Sequence, residues 1–375
     1  LTGIVFLVAP LAGGAIGDLL GWRLTFYISI PLTVIVLAVL LLKMPQVKPN
    51  GDASKLDWAG TLYLSLVTIG IVMFFSWGGQ KYSWLSVQVI GAAVVCLVSL
   101  VLFIRHINHC DAPVLSPKLF KNREFVLVIL GVVLIGPTLY AVGSYLPMIC
   151  QALVGTTGMT AGIVTAAKSA VQLVLGYAIG VYIGKTGKIK LVMILTAIVY
   201  AVSNFILGFA STPADMALLI VGILLSGLGT TTYSMVYTLH AQNELPEALV
   251  GEATSAIQFL QSLSGTIGLS VVGMVLNTSF SSRLQHVIPV GLDALVPAEQ
   301  LQKYMGTTLL TDSSAVSAAM EGLSAEGQGL FTQFVDNLHM AYAGAMRNAF
   351  VVLGVLCAIT LIFSLLVKPS KKKAA

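Results

Sequence analysis

Polar side chains that could do chemistry are sparse in this sequence and stand singly within long apolar stretches. Lys168 is the clearest ionisable residue inside such a stretch, and Gln172 follows it at a spacing that puts both on one helix face. A lysine there could pair with an anionic ligand or with a carboxylate on a neighbouring helix. It could equally extend its long side chain to the nearby water interface. Both interpretations of Lys168 stay open.

Other polar residues within the apolar stretches have types suited to a cavity that binds amphipathic molecules. Aromatic faces attract organic cations, and amide or hydroxyl groups supply scattered hydrogen bonds. The same groups could instead hydrogen-bond neighbouring helices. These residues are Asn204, Tyr233, Tyr237, Gln258 and Gln261. Together with Lys168 and Gln172, they are the candidate residues of a substrate cavity.

Potential metal ligands cluster only in the segment His106-Ile-Asn-His109-Cys110-Asp111. No further ligand at ordinary zinc spacing accompanies them, so interfacial polar residues are the favoured interpretation, and we predict no metal site. The four cysteines stand singly, without a C-x-x-C pair, which indicates no disulfide framework. No Ser–His–Asp set or carboxylate pair lies within the apolar stretches. We therefore predict no catalytic residue, no cofactor and no enzyme activity.

The elements that carry these residues must be membrane-spanning helices. Hydrophobic residues make up 57% of the 375 residues and charged residues only 9%, whereas roughly a quarter of a soluble domain is charged. About ten apolar stretches reach the length that crosses a bilayer as a helix. They lie near residues 1–17, 26–42, 57–77, 85–105, 125–149, 160–181, 191–210, 215–240, 251–276 and 343–367. The sequence thus predicts an all-α polytopic membrane protein embedded in lipid.

The basic residues are distributed unevenly between the two sides of this predicted membrane protein. Most lie on the side that would hold the C-terminal tail, as Lys43 and Lys368 do. Basic residues concentrate in cytoplasmic connections, so this side is predicted to be cytoplasmic. An even number of spans returns the chain to its starting side, and both chain ends are then cytoplasmic. The net charge of +5 lies mainly in short connections and does not indicate binding of nucleic acid.

The first apolar stretch ends in Ala9-Pro10-Leu11-Ala12-Gly13-Gly14, followed by Gly17-Asp18 and Trp22-Arg23. Pro10 bends a helix, and the glycines Gly13, Gly14 and Gly17 allow another helix to approach closely. This pattern resembles the G-P-x-x-G-G motif of major facilitator superfamily antiporters. The Trp-Arg turn after it is similar to that of the fourteen-span drug:proton antiporter family. Ala9 departs from the motif, which has glycine there.

The resemblance extends along the whole chain. Leu56-Asp57-Trp58-Ala59-Gly60 is similar to the start of the family's linker spans, and Gly251-Glu252-Ala253-Thr254 to its penultimate span. It implies that residues 1–42 hold the last two spans of an N-terminal bundle and 43–124 two linker spans. Residues 125–375 would form a six-span C-terminal bundle with a large outer loop at about 277–342. The apolar periodicity of that loop predicts short amphipathic helices. Because the chain starts with apolar residues and no Met, we expect it to be truncated at its N-terminus.

The turn Gly180-Val-Tyr-Ile-Gly184-Lys185-Thr186-Gly187-Lys188 resembles a phosphate-binding loop but is one residue short between its glycines. It also follows a membrane stretch and not a buried strand, so we expect no nucleotide binding. Two interpretations remain open for Gly180, Lys185, Gly187 and Lys188. They form either a plain basic turn or a divergent copy of the superfamily's G-x-x-x-D-x-x-G-R/K turn, with Gly184 in place of the Asp.

The resemblance implies a transporter that exports amphipathic drugs or metabolites in exchange for protons, by alternating access around a midplane cavity. Its partners would be a small-molecule substrate, protons and lipid. The coupling carboxylates of such antiporters lie in the first bundle, and no Asp or Glu falls in the interior of the predicted spans. Asp57, Asp215 and Glu252 lie at the edges of theirs. Export of an endogenous solute, such as an amino acid or a siderophore, is an alternative that Lys168 would favour. A non-transporting membrane sensor or scaffold is an alternative of a different class.

Overall fold

The part of the chain that the computed structural model describes is helical and long enough to cross a membrane repeatedly. It comprises residues 8–9, 12–17, 19, 21–43, 57–79, 81–110, 113–154, 158–210, 215–284, 287–297, 300–301, 304–305, 308–311, 313–321 and 323–369. Within these residues, nine helices have the length and apolar composition of membrane spans. The predicted all-α polytopic fold is confirmed. Most of the predicted stretch at 1–17, including Pro10, lies outside the described residues.

The spanning helices are joined by short connections, and three short helices precede the last of them. They are α1 Trp22–Lys43, α2 Trp58–Trp77, α3 Val87–Ile107, α4 Pro117–Lys121, α5 Arg123–Val154, α6 Gly158–Thr186, α7 Ile189–Phe209, α8 Met216–Glu244, α9 Glu247–Leu284, α10 Leu292–Leu295, α11 Thr308–Thr311, α12 Ser313–Met320 and α13 Ala325–Leu366. The starts of α5 and α7 lie beside the ends of α8 and α13, because Asn122 contacts Glu244 and Lys190 contacts Leu365. We call the end that holds Lys188 and Lys368 the basic end, and the opposite end, near α10 to α12, the loop end.

Six helices, α5 to α9 and α13, pack together into a bundle. The helices α7 and α13 run along each other, and α5 packs closely against α9. Glycines permit the latter contact, because a Cβ at Gly265 or Gly268 would collide with the side chains of Tyr140 and Pro137. Aromatic residues such as Phe350 are fully buried between the helices. The bundle therefore has a closely packed interior, and many of its outward-facing side chains are apolar, as a bilayer requires.

The helices α2 and α3 form a separate hairpin that we call the linker hairpin. They touch along Gly70, where an added Cβ would lie 2.9 Å from the Cβ of Cys96. At its basic end, Asp57 caps α2 by accepting a hydrogen bond from the Gly60 amide at 2.7 Å. At the other end, the hydroxyls of Ser76 and Ser270 are 3.1 Å apart. This contact and others between α2 and α9 hold the linker hairpin against the bundle.

The helix α1 differs from the others because its described side chains are exposed or half-buried along its whole length. Its sequence is apolar on every side, which suits contact with lipid or with further helices on all faces. The preceding segment is similar, since a Cβ at Gly13 or Gly17 would have no atom within 4 Å. Gly14 beside them is half-buried. The described residues therefore supply no helix crossing at the proposed antiporter motif.

The stretch at 277–342 holds less loop than predicted, because the helices on both sides extend into it. The helix α9 continues to Leu284, and α13 already begins at Ala325. The apolar residues Phe331, Phe334 and Leu338 were expected in short amphipathic helices. They lie instead on one face of α13 and are fully buried, and this packing extends the long helix beyond the span that hydropathy alone marks.

Candidate functional site

A cleft of about 500 Å³ lies between α6, α8 and α9 on the side of the bundle away from α7 and α13. Its lining combines amide and hydroxyl groups with two flexible apolar side chains. The lining residues are Gln172, Thr230, Ser234, Met235, Thr238, Leu239, Gln242 and Gln258. None of them carries a formal charge, so the cleft offers hydrogen bonds and apolar contact to a small molecule.

One helix supplies most of the lining. Thr230, Ser234, Thr238 and Gln242 recur every four residues along α8, which aligns them on a single face. All are half-buried. The amide nitrogen Nε2 of Gln242 donates to the hydroxyl of Thr254 on α9 at 3.0 Å, so this polar stripe also fastens α8 to α9. We call these residues the polar stripe of α8.

Lys168 and Gln172 approach the cleft from α6. Gln172 lines it, and Lys168 lies one helical turn farther toward the loop end. Lys168 is only 9% exposed, and its side chain covers Gly227 of α8, where an added Cβ would lie 3.2 Å from Lys168 Cγ. Among the described residues, no carboxylate lies within ion-pair distance of its ammonium. The aliphatic part of the Lys168 side chain therefore lies between α6 and α8.

Tyr233 and Tyr237 lie on a different face of α8 from the polar stripe. Both are buried, with ring centroids 4.5 Å apart, inside the bundle. The hydroxyl of Tyr237 is 2.6 Å from that of Ser364 on α13. The two rings fill space between helices and are absent from the cleft lining. This location favours helix packing over a direct role in substrate contact.

The remaining polar candidates divide between the cleft and the interior. Gln258 lines the cleft from α9. Asn204 is fully buried between α7 and α13, and its side-chain nitrogen donates to the carbonyl of Tyr200 at 2.7 Å. Gln261 lies where α9 packs against α5, close to Gly136. Thus the structure brings Gln172 and Gln258 to one cleft but directs Asn204 and Gln261 elsewhere.

The segment 180–188 was predicted as a turn, but its residues 180–186 form the end of α6, and only Gly187 and Lys188 connect α6 to α7. Gly187 has a φ of +66°, which is easy only for glycine, and its amide donates to the carbonyl of Ile183 at 2.8 Å. Lys185 and Lys188 are exposed. A Cβ at Gly180 would lie 3.2 Å from the methyl carbon of Met235, so Gly180 lets α6 approach the cleft-lining helix.

A buried polar cluster at the basic end was not anticipated from the sequence. The Nε2 of His240 is 3.8 Å from Oε2 of Glu124, which also accepts a hydrogen bond from the Lys368 amide at 2.9 Å. His240 is fully buried. The predicted span at 125–149 leaves Glu124 outside, but the structure starts this span at Arg123 and so includes Glu124 in its first turn. His240 within an apolar stretch was the one available signal.

Comparison with known proteins gives the following similarities. The profile of the Major Facilitator Superfamily matches residues 1–269. The chain is 25% identical to Multidrug resistance protein 3 of Bacillus subtilis over 75% of this chain and 55% of that protein. It is 25% identical to the Multidrug transporter protein MdtP of the same organism over 99% of this chain and 70% of the relative.

Two further comparisons extend this set. The MFS-type efflux pump MFS1 of Trichophyton rubrum is 26% identical over 96% of the chain and 65% of that protein. A crystal structure of a bacterial homologue of the human lysosomal transporter Spinster, inward-facing and occupied, aligns over 84% of this chain and 65% of that one. Its TM-score is 0.44 and its sequence identity 15%. The chain thus spans little more than half the length of some of its curated relatives.

Proposed function

The chain belongs to the Major Facilitator Superfamily, and from this premise we propose that it exports amphipathic drugs or metabolites across the cytoplasmic membrane by exchange for protons. The names of its relatives, which include multidrug transporters and efflux pumps, support export over uptake. Within this proposal the basic end faces the cytoplasm, since basic residues concentrate on that side of membrane proteins. Both chain ends then lie in the cytoplasm.

The observation that carries the proposal is the composition of the cleft. A site that accepts many amphipathic molecules needs apolar surface, hydrogen-bonding groups that tolerate several orientations, and side chains that can adapt. The polar stripe of α8 supplies neutral hydroxyl and amide groups, and Met235 adds a flexible apolar side chain. We therefore assign substrate binding to this cleft.

Transport by alternating access requires a second bundle opposite the cleft, and residues 1–42 are proposed to contribute spans to it. The apolar helix α1, exposed on all faces, is suited to such packing. Small residues at Gly13, Gly14 and Gly17 would allow close helix crossings there. Residues 43–124 would then form linker spans, and the contacts of the linker hairpin with α9 support this assignment. Rocking of the two bundles would expose the cleft to each side in turn.

Export of an anionic endogenous solute is the second candidate, and Lys168 is the observation that favours it. Its buried ammonium lies one turn from the cleft-lining Gln172. A buried cation is costly. Since the described residues place no carboxylate within ion-pair distance of this ammonium, a substrate carboxylate could offset that cost. An amino acid or a siderophore would provide such a group. The two candidates differ in the charge of the transported molecule.

Transport in everted membrane vesicles that contain the full-length protein distinguishes these candidates. After a proton gradient is established, vesicles should accumulate ethidium, a lipophilic cation, and a protonophore should abolish the accumulation. Ser234→Leu should reduce it about tenfold, because the larger apolar side chain replaces a hydroxyl of the cleft. The matched control Ser255→Leu changes an exposed residue of α9 that does not line the cleft and should leave accumulation unchanged.

Two results would count against drug export by proton exchange. Accumulation that is indifferent to the protonophore would exclude coupling to the proton gradient. Gradient-dependent uptake of a lipophilic carboxylate, with none of ethidium, would favour the anion exporter. Loss of activity in Ser255→Leu to the same degree as in Ser234→Leu would contradict substrate binding in the cleft.

A further inference from the structure

Three side chains of metal-binding type converge at the basic end of the linker hairpin. Asp57 precedes α2, His106 lies in the last turn of α3, and Cys110 follows in the next connection. A carboxylate oxygen, a ring nitrogen and the sulfur of these residues all lie within 4.8 Å of one another. The Nε2 of His106 is 2.6 Å from Oδ1 of Asp57. The sequence indicates His106 and Cys110 as potential ligands, but not Asp57, which comes from a different helix.

The donor set fits zinc. One thiolate, one imidazole and one carboxylate form a three-ligand site to which water adds as the fourth ligand. In a tetrahedral zinc site, neighbouring ligand atoms are about 3.3–3.6 Å apart. An ion would therefore move Asp57 Oδ1 and His106 Nε2 slightly apart, replacing their hydrogen bond, and would draw in the sulfur of Cys110. The thiolate and the carboxylate together balance the two positive charges of the ion.

The Asp57 carboxylate is buried and held by hydrogen bonds. The Asp57 side chain is only 2% exposed, and its oxygens accept hydrogen bonds from the Gly60 amide at 2.7 Å and the Val114 amide at 3.2 Å. Together with the contact to the His106 ring, these bonds fix the orientation of the carboxylate. Such supporting hydrogen bonds orient metal ligands in known sites.

The other two ligands have the freedom that binding needs. The side chain of His106 is 29% exposed, and its ring meets that of Tyr63 edge-on at 5.8 Å between centroids. Cys110 is half-buried, lies outside any helix and borders a cavity of about 600 Å³. An ion and its water can reach the cluster from that cavity. The sulfur can move toward Asp57 without unwinding a helix.

We propose that Asp57, His106 and Cys110 form a zinc site that fastens the basic end of the linker hairpin. Binding releases the thiol proton of Cys110 to solvent. The Nε2 proton that His106 shares with Asp57 is exchanged through solvent for one on Nδ1, so that His106 stays neutral and binds the ion through Nε2. The ion then joins the start of α2, the end of α3 and the following connection. It acts on the hairpin and is independent of the substrate cleft.

Cobalt substitution in the purified protein tests the donor set. Titration with Co²⁺ should give a near-ultraviolet band from charge transfer between a thiolate and the ion, and excess Zn²⁺ should remove it. Cys110→Ser should abolish the band. His106→Gln should weaken Co²⁺ binding by at least about tenfold. The matched control His109→Gln changes a neighbouring histidine that instead contacts the Arg105 carbonyl, and the band should persist.

Three results would overturn the zinc site. These are the absence of a thiolate band, a band that survives in Cys110→Ser, or equal weakening by His109→Gln and His106→Gln. Thiol modification provides a second measurement that does not depend on cobalt. Zn²⁺ should slow alkylation of Cys110 by iodoacetamide in a variant lacking the other three cysteines, and should not do so when His106→Gln is added. Alkylation that is indifferent to Zn²⁺ would show that Cys110 does not bind the ion.

Discussion

Two faces of α8 meet different surroundings and carry different chemistry. The face toward α7 and α13 carries Tyr233 and Tyr237, which are excluded from water by neighbouring helices. The face toward α6 and α9 carries the polar stripe, whose members remain half-buried beside the cleft. Both faces repeat every four residues, so the helix itself does not distinguish them. The difference arises from which helices pack on each side.

The comparison separates residues that build the bundle from residues that can bind a substrate. A buried tyrosine ring contributes a large apolar area and close packing. Short hydroxyl side chains contribute little to such packing but can hydrogen-bond a ligand that enters the cleft. If the substrate binds in the cleft, the face of α8 with the polar stripe must be accessible to it, while the face with the tyrosines stays packed against other helices. The variants below test whether α8 is divided in this way.

The largest effect is expected from a bulky residue on the closed face. A Cβ at Gly229 would already collide with the ring of Tyr200, which is fully buried. Gly229→Leu should therefore destabilise the bundle by about 3 kcal/mol or prevent its folding. Thermal melting followed by size-exclusion chromatography measures this. Ser234→Leu, on the open face, should melt like the parent protein, and equal melting of both variants would contradict a closed face at Gly229.

A smaller effect is expected from removing amide hydrogen bonds in the cleft. Gln258→Leu should weaken binding of ethidium about fivefold to tenfold, because an apolar group replaces a hydrogen-bonding one. Gln261→Leu is the matched control, since Gln261 lies one turn away toward α5. Equilibrium fluorescence titration of the purified protein compares the two. If Gln261→Leu weakened ethidium binding more than Gln258→Leu, the substrate would bind at a different face of α9 from the one that lines the cleft.

The two tyrosines provide a matched pair for a single hydrogen bond. Tyr237→Phe removes the contact with the Ser364 hydroxyl at 2.6 Å and should cost about 1 kcal/mol of stability. Tyr233→Phe should cost less, because its hydroxyl has no hydrogen-bond partner among the described residues. Unfolding in a denaturing detergent measures both. Neither change should alter ethidium affinity, and a strong loss in Tyr233→Phe would return that residue to the substrate site.

The smallest effect is expected at Lys168, and it concerns preference for substrate charge. Lys168→Met removes a buried cation, so it should favour ethidium over a lipophilic carboxylate by a few fold. Lys185→Met, at an exposed position of the same helix, serves as the control. Parallel transport assays with both substrates give the ratio. An unchanged ratio in Lys168→Met would show that this ammonium does not contact substrate and would support the interpretation of an interfacial lysine.

Sequence predicted the helices better than it predicted which side of each helix matters. Apolar stretches located the nine described spans, because crossing a bilayer fixes both length and composition. The end of α9 and the start of α13 were less predictable. Phe331 and its neighbours extend α13 through tertiary packing that hydropathy does not register.

Only part of the cleft lining could be predicted from the sequence. Gln172 and Gln258 were selected from the sequence and line the cleft. The polar stripe of α8 has a four-residue repeat, but so do the two tyrosines beside it, which the sequence predicts as cavity residues. Helical spacing groups residues on a face without stating what packs there. The approach of Asp57 to His106 depends on the pairing of two helices, which no local pattern shows.

Cysteine scanning of α8 tests the division of its faces most directly. Single cysteines at positions 229–242, in a background without the four native ones, would be treated with a membrane-impermeant thiol reagent in the transporting protein, with and without ethidium. We predict rapid labelling at 230, 234, 238 and 242 that ethidium slows, and almost none at 229, 233 and 237. Labelling that peaks at 233 and 237 and is slowed there by ethidium would contradict the assignment of the cleft as the substrate site.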